Sequence, residues 1–315
     1  MTIYSPMAAK ETNIAPMINA ALRTDHASVP IREVEGITYP TKPAIWDNWF
    51  PFAYIAFKRL AHGQIRSFAT IGTGPGADAI GAYCAFPELE KIVITDIDEQ
   101  VTQIAKSNVQ RYIPNKITII AGTGNLCEPL RRQRIKTDVI YENLPNIPSA
   151  NLIAQENQNS KFDATKIRIE CSDTVSKYLL LSHYACLLEA HSSLNQRGVV
   201  VSAIGGRVPY DLIRTTVESA GYAFLDLVSG FKVQTEPREV ITGYAQAESE
   251  NKVEFDFYDY EKAATILKAH DTIPFIKNNG WRLKKIISRA RITAHAALEK
   301  FVQDPAVKIG HIVHM

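Results

Sequence analysis

Ser67-Phe-Ala-Thr-Ile-Gly72-Thr-Gly-Pro-Gly-Ala-Asp78 is followed along the chain by Lys91-Ile-Val-Ile-Thr-Asp96. The first stretch reads as a short buried strand that runs into a glycine turn and then into a helix over Ala77–Phe86, which Pro87 stops. The second reads as a strand that ends on a carboxylate. A glycine turn at the carboxyl end of a strand lets backbone approach a ligand closely. Asp96 stands twenty residues beyond Gly76, where a carboxylate can accept hydrogen bonds from both hydroxyls of a ribose. A glycine motif alone is weak evidence, since the same residues can form a plain tight turn. The strand before it, the helix after it and the acid at the next strand tip make it strong.

Working outward, strands and helices keep alternating. Asp98 to Tyr112 is amphipathic, with Val101, Ile104, Ala105, Val109 and Tyr112 on one face. Lys116-Ile-Thr-Ile-Ile-Ala121 and Thr137-Asp-Val-Ile-Tyr-Glu142 read as the third and fourth strands. A helix over about Asp173–His191 leads to a fifth strand, Gly198–Ile204. Near-continuous apolar strands alternating with helices predict a parallel sheet covered on both faces. Pro209–Ala220 reads as a helix capped by Gly221. Ala223–Val233 and Val240–Ala245 are separated by too few residues for a crossover helix, which predicts an antiparallel hairpin closing the sheet. The expected fold is therefore α/β, a Rossmann-like seven-stranded sheet with an antiparallel terminal hairpin and helical N- and C-terminal flanks. The expected division is a helical cap over 1–65, the ligand-binding sheet over 66–250 and a helical extension over 251–315. In the flanks, helices are expected at Asn13–Arg23, Trp46–His62, Asp259–His270 and Trp281–Val302. The amide-rich segment Ser149–Lys161 falls after the fourth strand, where open α/β sheets carry ligand loops.

Composition bounds the function without naming it. The chain has 315 residues, 46% of them hydrophobic, and a net charge of +2. That is enough length for a sizeable core and too balanced a charge to argue for a nucleic-acid protein. The N-terminus lacks the charged region and apolar run of a signal peptide, and no stretch approaches the ~18 apolar residues of a membrane span. Cys84, Cys127, Cys171 and Cys186 form no C-x-x-C pair and fit no zinc spacing, as expected of reduced thiols in a cytoplasmic protein. Cys84 and Cys186 read as core residues. His311 and His314 read as part of a tail. Trp281–Arg291 carries five positive charges and no acid, which fits a solvated helix face better than a nucleic-acid patch.

The glycine turn admits two cofactor classes, nicotinamide dinucleotides and S-adenosylmethionine. The short G-x-G-x-G spacing, the lack of a second glycine loop for a pyrophosphate and the expected terminal hairpin favour the second. Over roughly residues 66–247 the sequence resembles the class I S-adenosylmethionine-dependent methyltransferase family. The resemblance implies that Gly72, Thr73, Gly74 and Gly76 pack under the methionine part of the cofactor, that Asp96 holds the ribose, and that Ile97 flanks the adenine. It further implies that the loop Ala121–Leu126 borders the adenine edge. Many family members have an Asp in that loop. Here Asn125 or Thr123 takes its place.

The fourth strand ends Tyr141-Glu-Asn-Leu-Pro-Asn146, which looks like the N-P-P-Y loop of methyltransferases acting on planar nitrogens, such as the release-factor glutamine methyltransferases. Leu144 and Asn146 stand where that family has Pro and an aromatic residue. The resemblance implies that Asn143 lies beside the cofactor and accepts a hydrogen bond from the nitrogen to be methylated. Tyr178 offers a π face to a cation or packs as a core aromatic. Ser202 lies at the end of the fifth strand, on the ligand side. Arg207, just beyond it, is read either as a clamp for a substrate carboxylate or as a surface residue. Phe50, Tyr54 and Phe57 are expected in the core, with Trp46 or Trp49 at the pocket.

The leading expectation is a cytoplasmic enzyme of secondary metabolism, a methyltransferase of a small molecule, acting at nitrogen with S-adenosylmethionine and no metal. Asn143, Tyr178 and Ser202 are its catalytic candidates. One alternative is a cyclase that folds the cofactor on itself, as azetidine-2-carboxylate synthases do, and releases methylthioadenosine. Another is a protein or RNA methyltransferase docking through the basic C-terminal segment. The expected partner is a small substrate or the cofactor itself, rather than nucleic acid or membrane.

Overall fold

The computed structural model describes residues 8–61, 64–146, 169–269, 275–277 and 279–315. Strands β1 (Ala9–Asn13) and β2 (Pro30–Val34) pair antiparallel and enclose helix α1 (Ala15–Leu22). Helix α2 (Phe50–Leu60) then leads into the alternating unit. That unit comprises β3 (Ser67–Ile71), α3 (Ala77–Ala85), β4 (Lys91–Asp96), α4 (Glu99–Tyr112), β5 (Thr118–Thr123), α5 (Glu128–Arg132) and β6 (Thr137–Glu142). After it come α6 (Asp173–Lys177), α7 (Leu181–Ala190) and β7 (Leu194–Ser202). The five strands lie parallel in the order β5-β4-β3-β6-β7. Helices cover both faces. Phe68, Ile92, Ile94, Val139 and Tyr141 pack against α2, α3 and α4 through Phe57, Ile80 and Val109. Ala69, Ile71, Val93 and Ile140 face the opposite way, against Leu130 of α5 and Cys186 of α7. This two-sided burial is why the strands read as unbroken apolar runs.

Local sequence sets the ends of these helices. The Asp98 side chain accepts hydrogen bonds from the Gln100 and Val101 amides and caps α4. The helix expected over Asp173–His191 is two helices, because Leu179 takes a left-handed backbone (φ 61) between them.

Beyond β7 the chain leaves the parallel sheet. The Ala203 amide still donates to the Glu142 carbonyl at 2.8 Å, but β8 (Ile204–Gly205) already belongs to a second sheet. The remaining elements are α8 (Tyr210–Ser219), β9 (Val228–Val233), α9 (Pro237–Asn251), β10 (Phe257–Asp259), α10 (Tyr260–Ala269), β11 (Phe275–Lys277), α11 (Gly280–Ile286), β12 (Arg291–Ile292), α12 (Ala294–Gln303) and β13 (Ile309–His314). Their strands pair antiparallel in the order β11-β9-β13-β10-β12, with β8 on β13. The second sheet thus starts where the carboxyl edge of β6 and β7 ends.

Four expectations are corrected. Among the described residues the parallel sheet has five strands and no terminal hairpin, because Val240–Ala245 lies inside helix α9. Pro237 in its first turn and the buried Val240, Ile241, Tyr244, Ala245 and Glu248 follow a helical period. β9 pairs with β13 instead. The flanks are mixed rather than helical, since β1 and β2 precede the sheet and β10 to β13 follow it. Trp281–Val302 is two helices with β12 between them. His311 and His314 are not in a tail. They are buried in β13, which pairs with three other strands.

Cys186 lies in the core as expected, whereas Cys84 is only half-buried against it. Cys127 and Cys186 are buried, and burial raises the Cys84 thiol to about 11. The basic segment is partly spent on ion pairs. Lys284 Nζ meets Asp256 at 2.7 Å, and Arg291 meets Glu254 at 2.8 Å and also pairs with Asp256. Among the described residues, no helix is long and apolar enough to cross a membrane.

Candidate functional site

The strand order reverses between β3 and β6, and ligands of open α/β sheets bind outside the carboxyl ends of the strands at that point. Two loops meet there, 72–76 after β3 and 143–146 after β6. The Leu144 side chain reaches the first loop, 3.6 Å from where a Cβ of Gly72 would stand.

Gly72, Gly74 and Gly76 all have positive φ, at 69°, 53° and 86°. A Cβ on Gly76 would press on Val109 and on the Ala105 backbone of α4 at 3.0–3.3 Å, whereas one on Gly74 would meet nothing within 4 Å. Gly76 therefore seats the loop on the protein, and Gly74 faces space that no described residue fills. Thr73 holds the loop from inside. Its amide donates to the Thr95 carbonyl at 3.0 Å and its hydroxyl to Asp78 at 2.9 Å. Asp78 is buried, accepts from the Thr70 hydroxyl as well, and is raised by burial to about 6.

Asp96 closes the other side. Its Oδ2 accepts from the Gly74 amide at 3.3 Å and its Oδ1 from the Asp98 amide at 3.1 Å. Partial burial raises its carboxyl above the usual range, opposed by these two bonds. Each carboxylate oxygen keeps a further lone pair. Ile97 is 39% exposed beside it, an apolar side chain on a polar rim. Asn125 is exposed at the tip of β5. Its backbone is engaged with Glu128 through N–H to Oε2 at 3.2 Å and C=O from the Glu128 amide at 2.9 Å.

Asn143 follows directly on β6 and is half-buried. Below it lies a pair that the sequence reading passed over. Glu142 and His183 are both fully buried, with His183 Nδ1 at 2.8 and 2.9 Å from the two carboxylate oxygens. Glu142 also accepts from the Leu144 amide at 3.0 Å. The Ser182 hydroxyl donates to the Pro145 carbonyl at 3.0 Å, the Asn146 amide to the Gly205 carbonyl at 3.4 Å, and the Tyr244 hydroxyl to the Asn146 carbonyl. The loop 143–146 is therefore fixed by α7, β8 and α9. Ser202 is the register partner of Glu142, and its hydroxyl is buried without a hydrogen-bond partner.

Tyr178 is not in this group. It stands edge-on to Phe255 at 5.7 Å and lines a cleft with Pro209, Glu248, Asp256 and Arg291. Arg207 is no surface residue, being 4% exposed. Tyr54 and Phe57 are in the core, with Phe50 partly buried against it. Trp46 packs on Phe52 at 5.5 Å, and Trp49 on His311 at 5.8 Å. The segment Ser149–Lys161 lies outside the described residues. Among the described residues, no three of His, Cys, Asp and Glu gather closely enough to hold a metal ion.

No protein-family model and no curated protein matches the chain. Solved structures similar to it include a ribosomal protein L11 methylase from Lactobacillus delbrueckii subsp. bulgaricus, at 15% identity over 64% of this chain and 75% of that one, with a TM-score of 0.39. Another is a SAM-dependent methyltransferase from Agrobacterium tumefaciens, at 13% identity over 65% and 59%, with a TM-score of 0.41. A third is a precorrin-6y C5,15-methyltransferase from Geobacter metallireducens GS-15, at 12% identity over 58% and 76%, with a TM-score of 0.36.

Proposed function

We propose that the chain is an S-adenosylmethionine-dependent methyltransferase that acts on a small molecule, at nitrogen. One observation carries the reading. Gly74 faces open space at the strand-order reversal with its amide on Asp96, and the two strand-tip loops meet beside it. The residues fit the cofactor. The Gly72–Gly76 backbone leaves room for a close approach, Asp96 retains lone pairs for a ribose diol, and Ile97 supplies an apolar edge for a base. When bound, S-adenosylmethionine supplies an electrophilic methyl group on a good leaving group, so the protein's task is mainly alignment.

Asn143 carries that alignment. Its side-chain oxygen, held at the tip of β6, accepts a hydrogen bond from an acceptor N–H and turns the nitrogen lone pair toward the methyl group. Glu142, Ser182, Gly205 and Tyr244 hold the loop that presents it, so little ordering remains to be done when the acceptor arrives. Pairing of Lys284 and Arg291 with Asp256 and Glu254 leaves less free positive charge for a nucleic acid, which favours a small acceptor.

Incubation with S-adenosylmethionine and candidate amines, followed by mass analysis, tests the reaction. S-adenosylhomocysteine appearing only with an acceptor is expected. Methylthioadenosine formed from the cofactor alone would overturn methyl transfer in favour of ring closure. Asn143→Ala should bind the cofactor within a few-fold of wild type and turn over at least a hundredfold more slowly, and unchanged turnover would remove Asn143 from this role.

A further inference from the structure

The second sheet carries a buried group of basic side chains that, among the described residues, has no carboxylate hydrogen-bonded to it. Lys232 of β9 and His311 of β13 are register partners, so their side chains project from the same face of the sheet. Arg207, just beyond β8, is close enough to perturb both. Exposure is 4% for Arg207, 2% for Lys232 and 1% for His311. A buried charge is normally paired, and a buried polar nitrogen is normally hydrogen-bonded. Here, among the described residues, no carboxylate is hydrogen-bonded to any of the three. Lys232 Nζ donates only to the Val233 carbonyl at 3.0 Å. Arg207 gives Nε and Nη2 to the Gln234 side-chain oxygen and lies over the Tyr244 ring at 5.0 Å. Both ring nitrogens of His311 are buried with no hydrogen-bond partner. Burial, with the Arg207 charge adding to it and the more distant Asp47 and Glu236 carboxylates opposing it, depresses Lys232 to about 7, and burial pushes His311 well below its ordinary value.

The group borders the loop after β6. The Arg207 Nη1 occupies the space in which a Cβ of Gly205 would stand, and the Asn146 amide oxygen lies 3.1 Å from the same point. Trp49, from the element before the parallel sheet, covers the other side. Its ring is 5.8 Å from the His311 ring and 5.8 Å from Lys232 Nζ.

We propose that Arg207, Lys232 and His311 form a binding site for an oxyanion, a carboxylate or phosphate borne by the methyl acceptor. Arg207 donates charge-assisted hydrogen bonds to the anion, Lys232 neutralises it, and His311 fills one of its unpartnered nitrogens by donating to an oxygen. The anion supplies the directly bonded acceptor that the group lacks, and Asn146 keeps the bound molecule next to Asn143. That the anion belongs to the acceptor rests on the proposed methyl transfer. The anion site itself does not.

The test uses the full chain at constant ionic strength, with succinate, inorganic phosphate or chloride as the varied anion. Wild type, Lys232→Met and His311→Gln are each melted in every salt and titrated calorimetrically with S-adenosylmethionine. Succinate or phosphate should raise the wild-type Tm above that in chloride, by about 2–4 °C at roughly ten times Kd, and whichever does so identifies the headgroup. Lys232→Met should lose the response while keeping cofactor affinity within threefold, and His311→Gln should weaken the response. The proposal is overturned if neither oxyanion exceeds chloride on the wild type, or if both variants respond as the wild type does. Should the wild type respond to an oxyanion and yet not bind S-adenosylmethionine, the cofactor reading fails and the anion site stands.

Discussion

Gly74 and Gly76 are two residues apart, and alanine at each should fail in a different assay. At Gly76 the backbone is left-handed (φ 86), and a Cβ would stand 3.0 Å from Val109 Cγ2 and 3.1 Å from the Ala105 carbonyl oxygen. The left-handed conformation costs an L-residue about 1–2 kcal/mol, and forcing a methyl against helix backbone adds about 1–3 kcal/mol. Gly76→Ala should therefore lose about 2–5 kcal/mol in urea unfolding. At Gly74 φ is 53 and nothing lies within 4 Å of the Cβ, so the backbone term acts alone. It is partly offset by the smaller conformational freedom of unfolded alanine, about 0.4–1 kcal/mol. Gly74→Ala should thus lose only about 1 kcal/mol of stability. The added methyl instead enters the space assigned to the cofactor. An overpacking cost of about 1–3 kcal/mol there becomes roughly a 5- to 150-fold loss of S-adenosylmethionine affinity. Calorimetric titration of Gly74→Ala reads that loss directly. Wild-type affinity in Gly74→Ala, or a larger stability loss there than at Gly76, would refute the view that one glycine seats the loop and the other faces the ligand.

Three further outcomes are expected. Asp96→Ala removes an ionised acceptor and should weaken S-adenosylmethionine binding by about 1.5–3 kcal/mol, roughly 10- to 150-fold, with little change in Tm. His183→Ala leaves Glu142 buried beside the Leu144 amide alone, so urea unfolding should detect a loss of about 3–5 kcal/mol, most of it recovered when both residues become leucine. Asp78 is raised by burial from 3.8 to about 6, so the folded state holds its proton to higher pH than the unfolded state. Its contribution is fully present below about pH 4 and lost as pH rises through about 6, a change on the order of 3 kcal/mol. Asp78→Asn should consequently be more stable than wild type at pH 7 and gain nothing at pH 4, as comparison of the two melting profiles would reveal.

The glycine turn and the strand tip at Asp96 were legible because their signals are local. The glycines of 72–76 and Asp96 lie within one β-α-β passage, and each position demands its residue for a reason of backbone or hydrogen bonding. The Glu142–His183 pair spans 41 residues. Neither residue has a periodic or motif-like neighbour that announces it, so only the packing of α7 on β6 brings it out. The misread hairpin has a different cause. Its length argument treated 240–245 as an isolated apolar run, although Pro237 and the spacing of Val240, Ile241, Tyr244 and Ala245 already carried a helical period. β9 then seemed to lack a partner nearby. Its actual partners, β11 and β13, lie far along the chain, β13 some 75 residues later, and non-local strand pairing of that kind leaves no trace in either strand alone.

That non-local pairing also explains why the group proposed here as the acceptor side was harder to read. β13 brings His311 opposite Lys232, β8 carries Arg207 to the same place, and the N-terminal Trp49 covers them. Four distant stretches thus meet beside a loop that is itself tied to three elements by the Ser182, Gly205 and Tyr244 hydrogen bonds. On the proposed reading, such an arrangement separates the two binding tasks physically. The parallel sheet can keep its glycine turn and Asp96 unchanged while substitutions on β8, β9 and β13 alter what is recognised. Substituting Lys232 or His311 should therefore change acceptor choice without moving cofactor affinity, whereas a change in the 143–146 loop, which touches both sheets, should disturb the two together.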